Sequence, residues 1–331
     1  NVPLGVLAFV GVFLFLPKAP RPAPPRFDFT GFAVLSLFVA SLQLMLDRGP
    51  GEDWFQSWEV RFEAALALAG LYMFAVHTMS AERPFFDRRL LSDRNFIFGS
   101  VATFVVGMLM FASLALLPPM MQNLMGYPVL EVGLVTMPRG IGMFASMIVI
   151  SRLMRWFDSR LLMAVGFALN AFAAWQMTQF NLEMDAHLII VSSIIQGVGL
   201  GFVFIPSNTL AFSTVPESLR TDGAALNTLV RNIGSAVGIS VMQAIFLINS
   251  QASHSELVQN LRPDNPMLAP YGAEAQDLAA WAPEVARQAA MVAYVSDFHL
   301  IMLLTLAAMP IAFLMRPAQA SMQSGAVHVI E

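Results

Sequence analysis

Cysteine is absent from the 331 residues, so there is no disulfide framework, no thiolate nucleophile and no cysteine-ligated zinc site. Charge is scarce as well: 12% of the residues are Asp, Glu, Lys or Arg, where soluble globular chains carry about 25%. A net charge of -4 lacks the basic excess that nucleic-acid binding requires. The chain also lacks a usual beginning. Asn1 leads straight into an apolar run, without the basic segment and small-residue cleavage site of a signal peptide, and the sequence is read as a fragment whose upstream part is missing. Enzyme signatures are missing too: there is no G-x-S-x-G elbow, no H-E-x-x-H and no pair of carboxylates positioned for a common cavity. No catalytic role, metal or cofactor is therefore expected. His77, His187 and His299 lie near span ends without metal-ligand spacing.

Apolar residues, by contrast, make up 57% of the chain, and the mean hydropathy is +0.65. This excludes a disordered chain and an ordinary soluble domain. A hydrocarbon layer about 30 Å thick requires roughly 20 apolar residues in a helix. Nine segments qualify or come close: 2–16, 29–46, 60–79, 96–121, 129–151, 160–179, 187–212, 222–248 and 296–315. No charged residue occurs between Arg94 and Glu131, or between Asp185 and Glu217. Lipid offers backbone groups no partners, so such segments must be helices, and nothing alternates as barrel strands would. An all-α integral membrane fold is expected.

Basic residues near span ends set the orientation. Alternate connections hold Lys18, Arg21, Arg26, Arg83, Arg88, Arg89, Arg94, Arg152, Arg155, Arg160, Arg220 and Arg316, whereas the other set holds Arg48, Arg262 and Arg287. That split predicts strict alternation, with the arginine-rich turns and the C-terminus in the cytoplasm. Residues 17–28 form a Pro-rich linker, and 249–295 form a polar external segment with room for one or two short helices lying against the membrane or a partner.

A charged side chain at the middle of a span costs about 2.5–3.5 kcal/mol on insertion scales, so it needs a partner or an aqueous cavity. Arg231 and Arg139 each lie about nine residues into a span, roughly 13 Å deep at 1.5 Å per residue. Asn227, Arg231, Ser235 and Gly238 follow at helical steps on one face. Gln196 and Ser207 align on the preceding span, while Asn208 points elsewhere. Arg231, Asn227, Arg139, Gln196, Ser207 and Ser235 are thus candidates for a substrate path or gate. Interhelical packing is the competing explanation for the Asn, Gln and Ser members. Asp297 is placed at the external mouth of the last span, as a solvated or helix N-terminal carboxylate. Gly197 with Gly201, and Gly234 with Gly238, form GxxxG pairs that let helices approach closely.

Specific strings then carry a resemblance. NVPLG, LQLMLDRGPGEDWF, RNF at Asn95, GYPVLEVGLVTMPRGIG, QGVGLGFVFIPSNTLAFSTVPESLRTDGAALNTLVRNIGSAVG and SDFHLIMLLTLAAMPIAFL resemble, in order, the EmrB/QacA drug:proton antiporters. These form the fourteen-span branch of the major facilitator superfamily, and the LDRG…DWF segment looks like its EmrB-like subgroup. Ser151 before Arg152-Leu153 departs from the usual Gly of that family's G-R-L turn. The resemblance implies that 1–16 is the last helix of the N-terminal bundle, 17–28 a cytoplasmic linker, and 29–94 two extra linker helices with a loop. It makes 95–316 the C-terminal six-helix bundle and 317–331 a cytoplasmic tail. It further implies export of small hydrophobic compounds by alternating access across the lipid membrane, powered by protons, with a periplasmic adaptor and an outer-membrane channel as partners. The antiporter motif and acidic residues of the N-terminal half lie outside this sequence. Export of a specific metabolite, lipid or siderophore, and a non-transporting scaffold or sensor, are the alternatives.

Overall fold

The computed structural model describes residues 2–15, 28–82, 84–260 and 281–316. Lys18, Arg21, Arg26, Arg83, Arg262, most of the Pro-rich linker, the middle of 249–295 and the tail lie outside them. The described residues contain no strand and are mainly α-helical, in nine long α-helices and one short one joined by turns and short 3-10 segments: α1 (Val2–Phe15), α2 (Phe29–Arg48), α3 (Trp58–Ser80), α4 (Arg94–Pro119), α5 (Val129–Leu153), α6 (Ser159–Met177), α7 (Ala186–Phe212), α8 (Arg220–Asn260), α9 (Ala282–Ala308) and α10 (Ile311–Leu314). Aspartates set several starts by accepting orphan backbone N–H groups. Asp28 accepts from Gly31 at 2.9 Å, Asp93 from Phe96 at 2.8 Å and Asp158 from Arg160 at 2.9 Å. Pro118 and Pro119 supply no backbone donor, and α4 widens directly after them into a π-helical turn, Met120–Leu124.

Seven of these segments are long and apolar enough to cross a membrane. α1 is shorter, and α6 is diluted by Arg160, Asn170 and Gln176; more than half of its residues are buried, against α7 on one side and α9 on another. In a helix enclosed by protein, neighbouring side chains take over the role of lipid, so polar residues cost less there.

Helices α4 to α9 form the main bundle. α7 packs along α5 and α6, and α8 along α4 and α9. One apolar core joins Leu116, Met120, Ala174, Met177, Met242, Phe298 and Ile301, and a second joins Val106, Phe167, Leu200 and Leu210. Chain ends from several helices meet at the arginine-rich end: Asn95 donates to Ser213 and to the Arg316 carbonyl and accepts from the Arg316 N–H. At the opposite end Arg287 donates to the Leu124 carbonyl at 2.8 Å.

The segment 249–295 is corrected by the structure. Its described parts are no separate surface helices; residues 249–260 continue α8 and 282–295 begin α9. Asp297 is corrected with it. Because α9 starts at Ala282, Asp297 sits in mid-helix and is wholly buried, instead of lying solvated at a helix N-terminus.

α2 and α3 pair as a hairpin, with the backbone of Phe38 seated against Gly70. Arg48 reaches Glu59 at 2.8 Å and Glu63 at 3.4 Å at one end. At the other end His77 Nε2 lies 2.9 Å and 3.0 Å from the Asp28 oxygens. Ser240 of α8 donates to the Leu46 carbonyl at 2.6 Å and ties the hairpin to the bundle. Burial opposes ionisation of Asp28, but the Gly31 N–H, the His77 hydrogen bond and the His77 charge together hold its carboxyl below the usual range. A lowered carboxyl value stabilises the fold above the unfolded value and is lost as the pH falls through the folded one. Asp28→Asn is therefore expected to lower the melting temperature in detergent at neutral pH, with the deficit vanishing once the pH drops through that lowered value. A deficit that persists unchanged in acid would show that the ion pair is not its source.

Candidate functional site

The inner face of the bundle, where α4, α5, α7 and α8 meet, holds two adjoining cavities. The first, about 310 Å³, is lined mainly by apolar side chains such as Met110, Leu114, Met143 and Leu200, with Thr136, Ser193 and Arg139 as polar members. The second, about 270 Å³, shares Met110, Met143 and Leu200 and adds Phe111, Phe204 and Arg231. The shared wall makes them two lobes of one trough.

Each lobe contains one guanidinium. Arg139, on α5, donates from Nη2 to the Met110 carbonyl of α4 at 2.9 Å. Arg231, on α8, lies with its Cζ 5.9 Å from the centre of the Phe204 ring. That distance is within cation–π range, worth about 0.5–1 kcal/mol at exposed sites. Among the described residues neither side chain has a carboxylate within ion-pair distance. The site thus offers an apolar surface of drug-like dimensions with two cations that have no carboxylate partner among the described residues.

The other candidates fall into distinct places. Asn227 is buried and donates to Asn208 Oδ1 at 2.9 Å, joining α8 to α7. Gln196, also buried, donates to Ser113 Oγ at 2.9 Å and links α7 to α4. Ser207 and Ser235 each turn back onto their own helix, donating to the carbonyls of Phe204 and Asn232. The structure therefore brings Arg139 and Arg231 to one trough and does not bring Gln196 or Ser207 to its walls.

The glycine pairs decide how closely the helices approach. A Cβ on Gly197 would run into the Arg139 carbonyl, and one on Gly201 into the Ser146 hydroxyl, so α5 rests directly on this stripe of α7. Gly234 and Gly238 do the same for α4, facing the carbonyls of Phe104 and Met108. Gly107 answers from α4, against the Arg231 carbonyl. The two cavity arginines thus stand at close helix contacts, with their backbone carbonyls held against glycines opposite.

Ser193, Phe204 and Asn208 escape a sequence reading that begins from Gln196 and Ser207. The signal was present: Ser193, Gly197, Leu200, Phe204 and Asn208 recur at steps of four, three, four and four, one continuous face of α7.

A bundle of long apolar helices around an apolar, cation-bearing trough defines the class: a multi-pass membrane protein. The chain belongs to the Major Facilitator Superfamily, whose description matches residues 1–239. It is 28% identical over 268 residues to the multidrug export protein EmrB of Escherichia coli (strain K12), covering 80% of this chain and 52% of that protein. It is 30% identical over 265 residues to the fatty acid resistance protein FarB of Neisseria gonorrhoeae, with the same coverage of 80% and 52%. The chain spans about half the length of the curated relatives it matches. Among solved structures, a bacterial homologue of the human lysosomal transporter Spinster, in an inward-facing and occupied conformation, matches with a TM-score of 0.53 at 15% identity. That match covers 85% of this chain and 64% of the other, and it shows the shared fold.

Proposed function

We propose that this chain is the cavity-forming C-terminal part of a proton-coupled multidrug exporter that expels small hydrophobic compounds by alternating access. The observation that carries the reading is the trough between α4, α5, α7 and α8, apolar over most of its lining and holding Arg139 and Arg231. An apolar wall rewards burial of apolar surface at about 25 cal/mol per Å² and sets few directional demands, which suits substrates of varied shape. Similarity to proteins named as multidrug exporters supports the same reading. The rocking of two bundles about a midplane site, usual for such folds, would place a second bundle opposite the trough. The energy source is the proton gradient, with no cofactor.

In this reading the protein lies in the bacterial inner membrane with the arginine-rich turns and the C-terminus in the cytoplasm. The end bearing Arg287, with the adjoining parts of α8 and α9, would then be the surface that meets a periplasmic adaptor leading to an outer-membrane channel. This chain carries no native cysteine, so single introduced cysteines report topology cleanly. Labelling in whole cells is expected at 250–260 and not at 84–94, and the reverse pattern would overturn the orientation.

The test of function is uptake by the full-length protein in liposomes. Accumulation of a lipophilic dye is expected with an imposed pH gradient and not without one; equal signals with and without the gradient would reject proton coupling. A second reading has its own observation. Two guanidiniums without a carboxylate in an apolar trough suit a lipophilic anion, and one relative is named for fatty acid resistance. Arg139→Gln is expected to weaken binding of a long-chain carboxylate more than that of a neutral dye of similar size. Equal weakening of both would assign the arginine to helix positioning through the Met110 carbonyl.

A further inference from the structure

Away from the trough, the described residues hold a carboxyl with neither oxygen partnered. Asp297 has no exposed surface, and both of its oxygens are buried without a hydrogen-bond partner among those residues. Its neighbours on the same face of α9, Tyr294 and Ile301, belong to the large apolar core. The next residue, Phe298, meets Phe180 of the α6–α7 turn edge to face, with centroids 5.7 Å apart. Tyr294 meets Phe246 of α8 at 4.4 Å. Arg287, anchored to Leu124 at the arginine-poor end, is ten residues earlier, so Asp297 lies roughly 15 Å further along the helix. It therefore sits within the half of the bundle remote from the arginine-rich end.

Among the described residues no charged group pairs with it, and Glu183 and Asp185 of the α6–α7 turn are exposed. α9 packs on α8, α6, α4 and the π-helical turn. On α6 the ionisable residue is Arg160 and on α4 it is Arg94, both at the arginine-rich end, and the turn Met120–Leu124 has none. On α8, Arg231 lies eleven residues before Met242, and His254 and Glu256 lie eight or more beyond Phe246 and are exposed. On α9 itself Tyr294 is one turn away and within electrostatic reach. His299 is exposed, and Glu284 and Arg287 pair with each other.

A carboxylate in such surroundings has lost its hydration without gaining a donor, a state that proteins avoid by protonation or by admitting water. The neutral acid and the ion thus make opposite demands on one helix contact. The acid fits the closed apolar packing; the ion needs α9 to part from its neighbours.

We propose that Asp297 is a proton-binding site of this bundle, separate from the substrate trough, whose occupancy is coupled to the packing of α9 against α4, α6 and α8. One proton from the aqueous phase adds to one carboxylate oxygen to give the neutral acid, and no other bond changes. The coupling role rests on the proton-driven reading above, in which this end of the bundle faces the side from which protons enter.

Asp297→Asn keeps the shape of the protonated side chain and cannot titrate. In the full-length transporter it is expected to retain membrane abundance and substrate exchange without a gradient, and to lose accumulation driven by a pH gradient. Asp297→Glu is expected to restore accumulation with a displaced pH profile. Wild-type accumulation in the Asn variant would overturn the proposal. If the Asn variant is depleted from the membrane, infrared titration of the purified wild type and Asp297→Glu proteins decides instead. A protonated-carboxyl band that fades on raising the pH and moves in the Glu variant supports the site; identical spectra from the two overturn it. Should the wild type itself show no gradient-driven accumulation, the coupling reading fails by itself, and the same infrared titration still decides whether Asp297 binds a proton.

Discussion

Replacing Arg231 by alanine in the intact transporter is expected to abolish export while leaving its amount in the membrane near normal. The side chain makes no ion pair among the described residues and contacts Phe204 through its ring face alone. What it contributes to stability is thus of the order of one cation–π contact, about 0.5–1 kcal/mol. Against that stands the cost of placing a guanidinium in mid-span, about 2.5–3.5 kcal/mol on insertion scales. Its removal should therefore not impair folding. The contact that fixes α8 to α4 at this level is made by the Arg231 backbone carbonyl over Gly107, which alanine preserves. A stability loss is thus not expected, and a transport loss would report on the charge in the trough. Arg231→Lys should fall between the two, because an ammonium keeps the charge but not the flat face that stacks on Phe204. Resistance measured in cells, with quantified membrane protein, checks all three; unchanged resistance in the alanine variant would remove Arg231 from the site.

Gly197→Leu is expected to have the opposite profile, a loss of folded protein. The Arg139 carbonyl and the Met143 amide of α5 occupy the space into which any Cβ would project. Backbone cannot rotate away as a side-chain tip can, so the two helices must separate. Overpacking of a well-filled contact typically costs about 1–3 kcal/mol, and here the displaced backbone also carries Arg139 and its bond to Met110. The control lies on α5 itself. Gly133 has nothing within contact range of an added Cβ, and Gly133→Leu should leave the melting temperature in detergent nearly unchanged. A normal melting temperature for Gly197→Leu would show that α5 and α7 are not held at this distance.

These two residues illustrate how far the sequence carries the site. Arg231 was legible because a charge deep in an apolar run is conspicuous whatever surrounds it. The Gly197 spacing was legible too, but which helix rests on it was not, since GxxxG names a surface without naming its partner. Asn208 was misread by its position relative to Ser207, although it is the acceptor for Asn227. Asp297 was misread because the apolar stretch begins at residue 296, whereas the helix begins at Ala282.

The helical nature of the chain and the location of most of its spans follow from the sequence alone. Each backbone segment in lipid must satisfy its own hydrogen bonds, and that requirement is local. The tertiary structure decided the rest: that Arg139 and Arg231 share one trough, that Gln196 is committed to Ser113, and that 282–295 is the first part of α9, with one face against the bundle. The reason is physical. Hydropathy records whether a segment can leave water, while the rotation of each helix about its axis, fixed by packing among distant parts of the chain, determines what each side chain meets there.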